Sequence, residues 1–289
     1  MMKWKLNLKK NEMGMVLPYG FGDTYLVCSL LNEYKSKKLL SCIKLIVKNK
    51  HEEIAKLFGI KTYAQDSTDF KKNLEAVTEF GSEKAGEIFV AHPHYADHAY
   101  VELLGYKGIT LLDVYKIMFN LNINSTLALP DKKLKSANTV LKNLKSVGMK
   151  KGKGVIIFPD ANSVDTLSDG ELLKLIKASS SLGYKTYYSS NDARKNIPRD
   201  LFVNIPVSEI ISATNYAGHI ICMRSGICEI LSTSSAKMAI MYPKVVWYNA
   251  RLIVSCSLKA MGIRNNVFEI EIGKHLNDIT IKKIFSALK

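Results

Sequence analysis

Two glycine turns hold the residues best suited to chemistry. The first, Tyr19-Gly-Phe-Gly-Asp23, follows the apolar run Met13–Pro18 and precedes a helical pattern. An aspartate at a helix start lies in the dipole field beside unpaired amides, and both favour its ionised form. Such a carboxylate can cap the helix or take a proton from a hydroxyl nucleophile. Spacing alone leaves both readings open for Asp23.

The second turn lies within His219-Ile-Ile-Cys-Met-Arg-Ser-Gly-Ile-Cys-Glu229. An apolar strand stops at Arg224, turns through Ser225 and Gly226, and becomes helical with Glu229 on its first turns. Exposed amides beside an arginine suit a phosphorylated ligand, so Arg224, Ser225 and Gly226 are candidates for a diphosphate. The plainer alternative is an ordinary ion pair for Arg224 at a buried strand end. Asn162 and Ser163, in the loop after Gly154–Phe158, are placed to hydrogen-bond phosphate or sugar. Ser189, after Lys185–Tyr188, has a weaker claim.

His92-Pro-His94-Tyr-Ala-Asp97-His98 lies close to a metal-ligand spacing but carries one residue too many between His94 and Asp97. No metal is expected there. His92 and His94 read instead as lining an acceptor loop, with Gly20 and Gly22 on the same side. A dinucleotide site is disfavoured as well. The third glycine of G-x-G-x-x-G would fall on Tyr25, and Lys48, Asn49 and Lys50 stand where a ribose-binding acid belongs. An NADP-dependent or other nucleotide-dependent enzyme remains as an alternative.

Strands alternate with helices along the chain, which predicts parallel sheets covered on both faces. The strands are expected near Met13–Pro18, Ile43–Val47, Lys61–Tyr63, Glu87–Ala91, Gly154–Phe158, Lys185–Ser189, Leu201–Ile205, His219–Met223, Lys237–Tyr242 and Val267–Ile272. Tyr95–Leu121 reads as mostly helical. The spacing Ser168-Asp-Gly-Glu171 is that of a capping box, and Ser208 is expected to cap the next helix. The lysine-rich stretch Asp131–Lys153 separates two α/β halves, so the expected domains are 1–150 and 151–289, with the final helix free to pack back on the first. Ligands in such sheets bind outside the carboxyl ends of the strands. Two such units facing across a cleft would bring both glycine turns to its edges.

With 289 residues, 47% of them hydrophobic, the chain can bury a sizeable core. Its formal charge of +15 favours anionic partners: phosphorylated substrates, lipid headgroups or nucleic acid. No nucleic-acid-binding signature accompanies that charge, so specific nucleic-acid binding is not expected. The five cysteines form no C-x-x-C pair and read as reduced, buried thiols. With no apolar stretch of spanning length and no leader pattern, a cytoplasmic setting is expected.

These residues together resemble the two-domain GT-B glycosyltransferases, in particular the heptosyltransferase-like group. The resemblance rests on the strand, G-x-G-D turn and helix of the first half, and on the strand, proline and small polar pair that open the second. It implies that Asp23 acts as general base and that Asn162 and Ser163 bind the donor phosphate. Ser208 and Glu209 match the family's Ser-Leu-Glu-like helix start and are implied donor residues. Arg224 stands where the family has Asp, and Glu229 where it has His. That change points away from the family's ADP-sugar donor and towards a diphosphate gripped by charge.

The resulting expectation is a metal-independent glycosyltransferase without a resident cofactor. It would use a nucleotide-diphosphate sugar as co-substrate and a hydroxyl of a cell-surface glycan or lipid-linked acceptor, as in polysaccharide or lipopolysaccharide biosynthesis. Peripheral contact with the anionic inner face of the cytoplasmic membrane is part of that expectation. The rival is a non-catalytic protein of the same fold that binds an anionic polymer or partner.

Overall fold

The computed structural model describes residues 6–80, 87–93, 105–130 and 139–289. Packing divides the chain into two compact units, Met1–Leu134 with Trp247–Ala250, and Lys135–Val246 with Arg251–Lys289. The break at Leu134 precedes the expected boundary near residue 150, and a short later segment groups with the first unit.

In the first unit, β1 (Glu12–Val16), β2 (Cys42–Lys48), β3 (Thr62–Gln65) and β4 (Ile88–Val90) form a parallel sheet in the order β3-β2-β1-β4. β1 is buried on both faces, as the interior of a parallel sheet requires. α1 (Phe21–Lys37) and α2 (Glu52–Leu57) pack together. α3 (Ser67–Phe80) covers the sheet with Phe70 and Val77 against Val16, Ile46, Ile88 and Val90. α4 (Leu111–Met118) starts at a capping box in which Thr110 Oγ1 accepts from the Asp113 N–H. It is the described part of the helical region expected over Tyr95–Leu121; residues 94–104 lie outside the described residues.

The second unit opens with α5 (Thr139–Ser146) and a five-stranded parallel sheet follows. Its strands are β5 (Gly154–Phe158), β6 (Lys185–Tyr188), β7 (Gly218–Met223), β8 (Lys237–Pro243) and the later β11 (Phe268–Ile272), in the order β11-β8-β7-β5-β6. Between β8 and β11 run a hairpin of β9 (Val246–Trp247) and β10 (Ala250–Arg251) and the short α9 (Leu252–Ser255). The helices α6 (Asp169–Ser181), α7 (Val207–Ala217), α8 (Ile227–Leu231) and α10 (Asp278–Leu288) complete the unit. Ser168 Oγ accepts from the Glu171 N–H, which realises the expected capping box.

Two expectations are corrected. Leu201–Ile205 is not a strand: a 3₁₀ turn spans Arg199–Leu201, and Phe202 makes one isolated bridge to Tyr188. Pro198 and Pro206 bracket this segment and restrict ladder pairing. Ser208 is not the cap of α7, because the helix already begins at Val207 behind Pro206. The final helix groups with the second unit. Ile281, Ile284, Phe285 and Leu288 repeat at helical spacing and bury against Leu172, Leu175 and Ile176 of α6 and the strands beneath.

Each sheet reverses direction beside its first strand. β2 and β3 extend one way from β1, whereas β4 pairs on its other side; β6 and β7 flank β5 in the same manner. The carboxyl ends between β1 and β4, and between β5 and β7, are therefore topological switch points, where open α/β sheets bind ligands.

Candidate active site

At the first switch point, the register Val16↔Val90 sets Tyr19–Asp23 beside His92. The Ala91 N–H bonds the Val16 carbonyl at 2.9 Å, which fixes the start of the His92 loop. Asp23 lies in the first turn of α1 and divides its carboxylate between two tasks. Oδ2 accepts the Gly20 N–H at 3.2 Å, and Oδ1 accepts the Tyr115 hydroxyl at 2.8 Å. His92 Nε2 lies 3.9 Å from Oδ1. Tyr19 packs against His92 with the rings tilted and their centroids 3.9 Å apart. The Asp23 side chain is 25% exposed, so solvent or a ligand reaches it. Burial, then the Asp23 charge, raises the Tyr115 pKa well above its ordinary value and keeps the hydroxyl a donor.

Gly20 and Gly22 lie in this turn as expected, with Gly22 buried. Gly20 faces open space apart from the Asp23 carboxylate, at 3.7 Å from where a Cβ would stand. His94, Asp97 and His98 lie outside the described residues. Tyr115 and Tyr19 were missed by sequence reasoning. Tyr115 is 92 positions from Asp23, and no local pattern links them. Tyr19 was within the glycine turn, and its aromatic ring ahead of Gly20 was the available signal.

At the second switch point, Phe158 pairs with Cys222, so the loop after β5 starts beside the turn after β7. Asn162 and Ser163 are exposed in that loop. Asp160 just before them accepts from Ser190 Oγ and pairs with Arg194. Arg194 also donates to the Leu167 carbonyl at 2.5 Å and to Asp169 at 3.3 Å, tying the loop to the start of α6. Ser189 is buried, with its N–H on the Ile157 carbonyl. Neither Asp160 nor Arg194 was singled out from the sequence; their long separation hid the pair.

Arg224 takes the alternative that sequence reading left open. Its guanidinium is turned inward, donating to Glu229 Oε2 at 3.0 Å and to Oε1, with Nε on the Cys256 carbonyl at 3.0 Å and Nη1 on the Ser225 carbonyl at 2.6 Å. Arg224 is 7% exposed and Glu229 0%. Burial alone would weaken the Arg224 charge, but Glu229 outweighs it and holds the guanidinium protonated. Ser225 and Gly226 are half-buried just above this pair. Ser208 is exposed on the first turn of α7. Glu209 is buried, and its Oε2 accepts the Val140 N–H at 2.8 Å, capping α5. Among the described residues no group of three His, Cys, Asp or Glu side chains is placed to hold a metal ion.

The backbone aligns over 96% of this chain and 97% of ADP-heptose LPS heptosyltransferase II from E. coli, with a TM-score of 0.64 and 11% identity. The fold is GT-B. It also matches a family 9 glycosyl transferase from Veillonella parvula, over 97% of each chain, with a TM-score of 0.60 and 12% identity. A third GT-B structure, the E. coli heptosyltransferase WaaC with ADP, aligns over 95% of this chain and 98% of its own at a TM-score of 0.56 and 10% identity. No protein-family profile matches the sequence. No curated protein matches it significantly in sequence.

Proposed function

We propose that this GT-B protein is a glycosyltransferase that moves a sugar from a nucleoside-diphosphate donor to an acceptor hydroxyl. The observation that carries the reading is the Asp23 carboxylate at the β1/β4 switch point, held by Gly20 and Tyr115 and still reached by solvent. A carboxylate held in one orientation is suited to general-base work on a hydroxyl. Asp23 takes the acceptor proton as the acceptor oxygen attacks the anomeric carbon, and the bond to the donor diphosphate breaks. His92 and Tyr19 line the acceptor side.

The second unit takes the donor. Asn162 and Ser163 after β5, Ser189 after β6, the Ser225–Gly226 backbone after β7, and Ser208 at the start of α7 are the proposed donor contacts. Arg224, Glu229 and Glu209 act through position: the first two brace the turn after β7, and Glu209 joins α7 to α5. With Arg224 neutralised by Glu229, the sequence argument against an adenine nucleotide loses its basis, and ADP-sugars become the first donors to test. The acceptor is a cell-surface glycan or lipid-linked sugar met at the inner face of the cytoplasmic membrane. Transfer without a divalent metal is part of the proposal, so chelation with EDTA should leave the rate unchanged.

Titration calorimetry with ADP, UDP, GDP, CDP and CMP is the direct test. Binding of one nucleoside diphosphate, together with transfer lost in Asp23→Ala and donor affinity retained, supports the reading. Absence of binding to every nucleotide, with salt-sensitive binding to an anionic polymer, would favour a non-catalytic protein of the same fold.

A further inference from the structure

Two thiols lie against each other at the turn after β7, and the proposed transfer uses neither. Cys222 is the next-to-last residue of β7, and Cys228 is the second of α8. Their Sγ atoms are 3.6 Å apart, a sulfur hydrogen bond. The Met223 carbonyl accepts from Cys228 Sγ at 3.4 Å, and the Ala239 carbonyl of β8 accepts from Cys222 Sγ at 3.6 Å. Both residues are fully buried. The chain between them is short, and its Ser225, Gly226 and Ile227 are half-buried. α8 has five residues, too few to hold as a helix by itself. Fraying of its first turn is therefore the route by which a small solute reaches the sulfurs.

Burial by itself keeps a thiol unreactive. Cys28 is buried in α1, and burial alone pushes its thiol up. Cys228 departs from that pattern. Burial, and to a lesser degree Glu229, work against its thiolate. The Cys222 S–H, the Arg224 guanidinium and the backbone at Ser225 together outweigh them and hold the thiol below its ordinary range. Cys222 goes the other way: burial, then its bond to Cys228, keeps it protonated. Adjacent sulfurs of unlike acidity divide the two roles of dithiol oxidation, with Cys228 attacking and Cys222 resolving. The charge that favours the attack is the same guanidinium that Glu229 holds inward.

We propose that Cys222 and Cys228 close a reversible disulfide when they meet a hydroperoxide, and that the bond reshapes the turn between them. The Cys228 thiolate attacks one oxygen of hydrogen peroxide. The O–O bond breaks, Cys228 becomes a sulfenic acid, and the departing hydroxide takes up the proton that Cys228 gave away. The Cys222 sulfur then attacks the Cys228 sulfur. The S–O bond breaks, the S–S bond forms, and the hydroxyl leaves with the Cys222 proton as a second water. Two thiols are oxidised and one peroxide is reduced to two waters. A disulfide bond is about 2.0 Å long, so the sulfurs must close up from 3.6 Å. Closure takes Cys228 Sγ off the Met223 carbonyl, draws the start of α8 towards β7, and shifts the Ser225–Gly226 backbone. Only an effect on nucleotide rests on the reading of that turn as a donor contact; the disulfide does not.

The experiment exposes the reduced full chain to hydrogen peroxide, alkylates the remaining thiols and maps the peptides by mass spectrometry. Two of the five thiols should be lost, as a single peptide linked through Cys222 and Cys228, and dithiothreitol should restore both. Cys222→Ser should leave Cys228 as a sulfenic acid that dimedone traps, and Cys228→Ala should leave Cys222 unoxidised. Melting curves show whether each variant is folded, and the wild-type map decides the linkage without them. Hydrogen exchange at Ser225–Ile227 should differ between the reduced and oxidised forms. Where the turn is a donor contact, ADP affinity should fall about tenfold or more on oxidation and return on reduction, as expected when a site is displaced by about an ångström. The proposal is overturned if oxidation is confined to the half-buried Cys42, if the linkage joins separate copies of the chain, or if it forms only in urea. It is equally overturned if the disulfide forms and exchange at the turn is unchanged. Reduced protein that binds no nucleotide would sink the transferase reading, while the map and the exchange data still decide the dithiol.

Discussion

The Tyr115 hydroxyl donates to Asp23 Oδ1 at 2.8 Å, so a side chain in the middle of α4 orients the proposed base at the start of α1. Tyr115→Phe should lower the transfer rate about tenfold, as expected for one lost hydrogen bond to a charged group. Asp23→Ala should lower it about 10²- to 10⁴-fold, the usual range for a general base. Because the Tyr115 pKa is raised, its bond persists into alkaline solution, and the rate should show no downturn from Tyr115 below pH ~10. Steady-state rates of both variants across pH test this, and equal losses in the two would assign the main role to orientation.

Arg224 and Glu229 neutralise each other in the interior, and each is costly to leave alone. Glu229→Leu or Arg224→Met should destabilise the protein by about 3–5 kcal/mol, whereas Arg224→Met with Glu229→Leu should recover most of the loss. Urea unfolding of the four proteins gives the coupling energy. If the double variant folds but loses ADP affinity by about 100-fold, Arg224 contacts the diphosphate after all.

His51 predicts an acid-sensitive fold. It is buried with Nδ1 unpaired, and burial, then the charges of Lys50 and Lys48, push its pKa down to about 4. The unfolded chain takes up this proton near pH ~6.5. Between those values the unfolded state binds more protons, so stability falls as pH drops from ~6.5 to ~4 and is level above that window. The loss reaches about 3 kcal/mol by the lower end. Urea unfolding at pH ~7 and ~4 should show this slope in wild type and a smaller one in His51→Leu.

Gly218 ends α7 with φ at 92° and begins β7 in the same residue. A Cβ there would stand 2.7 Å from the Gly152 Cα. Gly218→Ala combines left-handed strain with a backbone clash and should cost about 3 kcal/mol or more. A fall in melting temperature measures it. An unchanged value would show that the Gly152 segment yields readily.

Much of the fold was legible because its signals are local. The Gly154–Phe158 run, the Ser168–Glu171 box and the Ile281–Leu288 stripe each define an element from adjacent residues. The segment Leu201–Ile205 misled because apolar content outweighed the prolines at 198 and 206. Of the site, Asp23 and the strand-end loops could be placed from the alternation of elements. Their partners could not, since Tyr115–Asp23, Asp160–Arg194 and Val140–Glu209 are tertiary contacts made only after the helices dock. Arg224 and Glu229 were both visible, but whether they faced a ligand or each other depended on how α8 returns on β7.

The order of the second sheet also constrains synthesis. β5 and β6 leave the ribosome well before β7, so the nascent chain carries an unpaired edge on β5 bearing Val155, Ile156, Ile157 and Phe158. A bare apolar edge invites pairing with other chains. Translation pauses between β6 and β7 should therefore lower soluble yield more than pauses after β8, when β7 and β8 can already cover that edge.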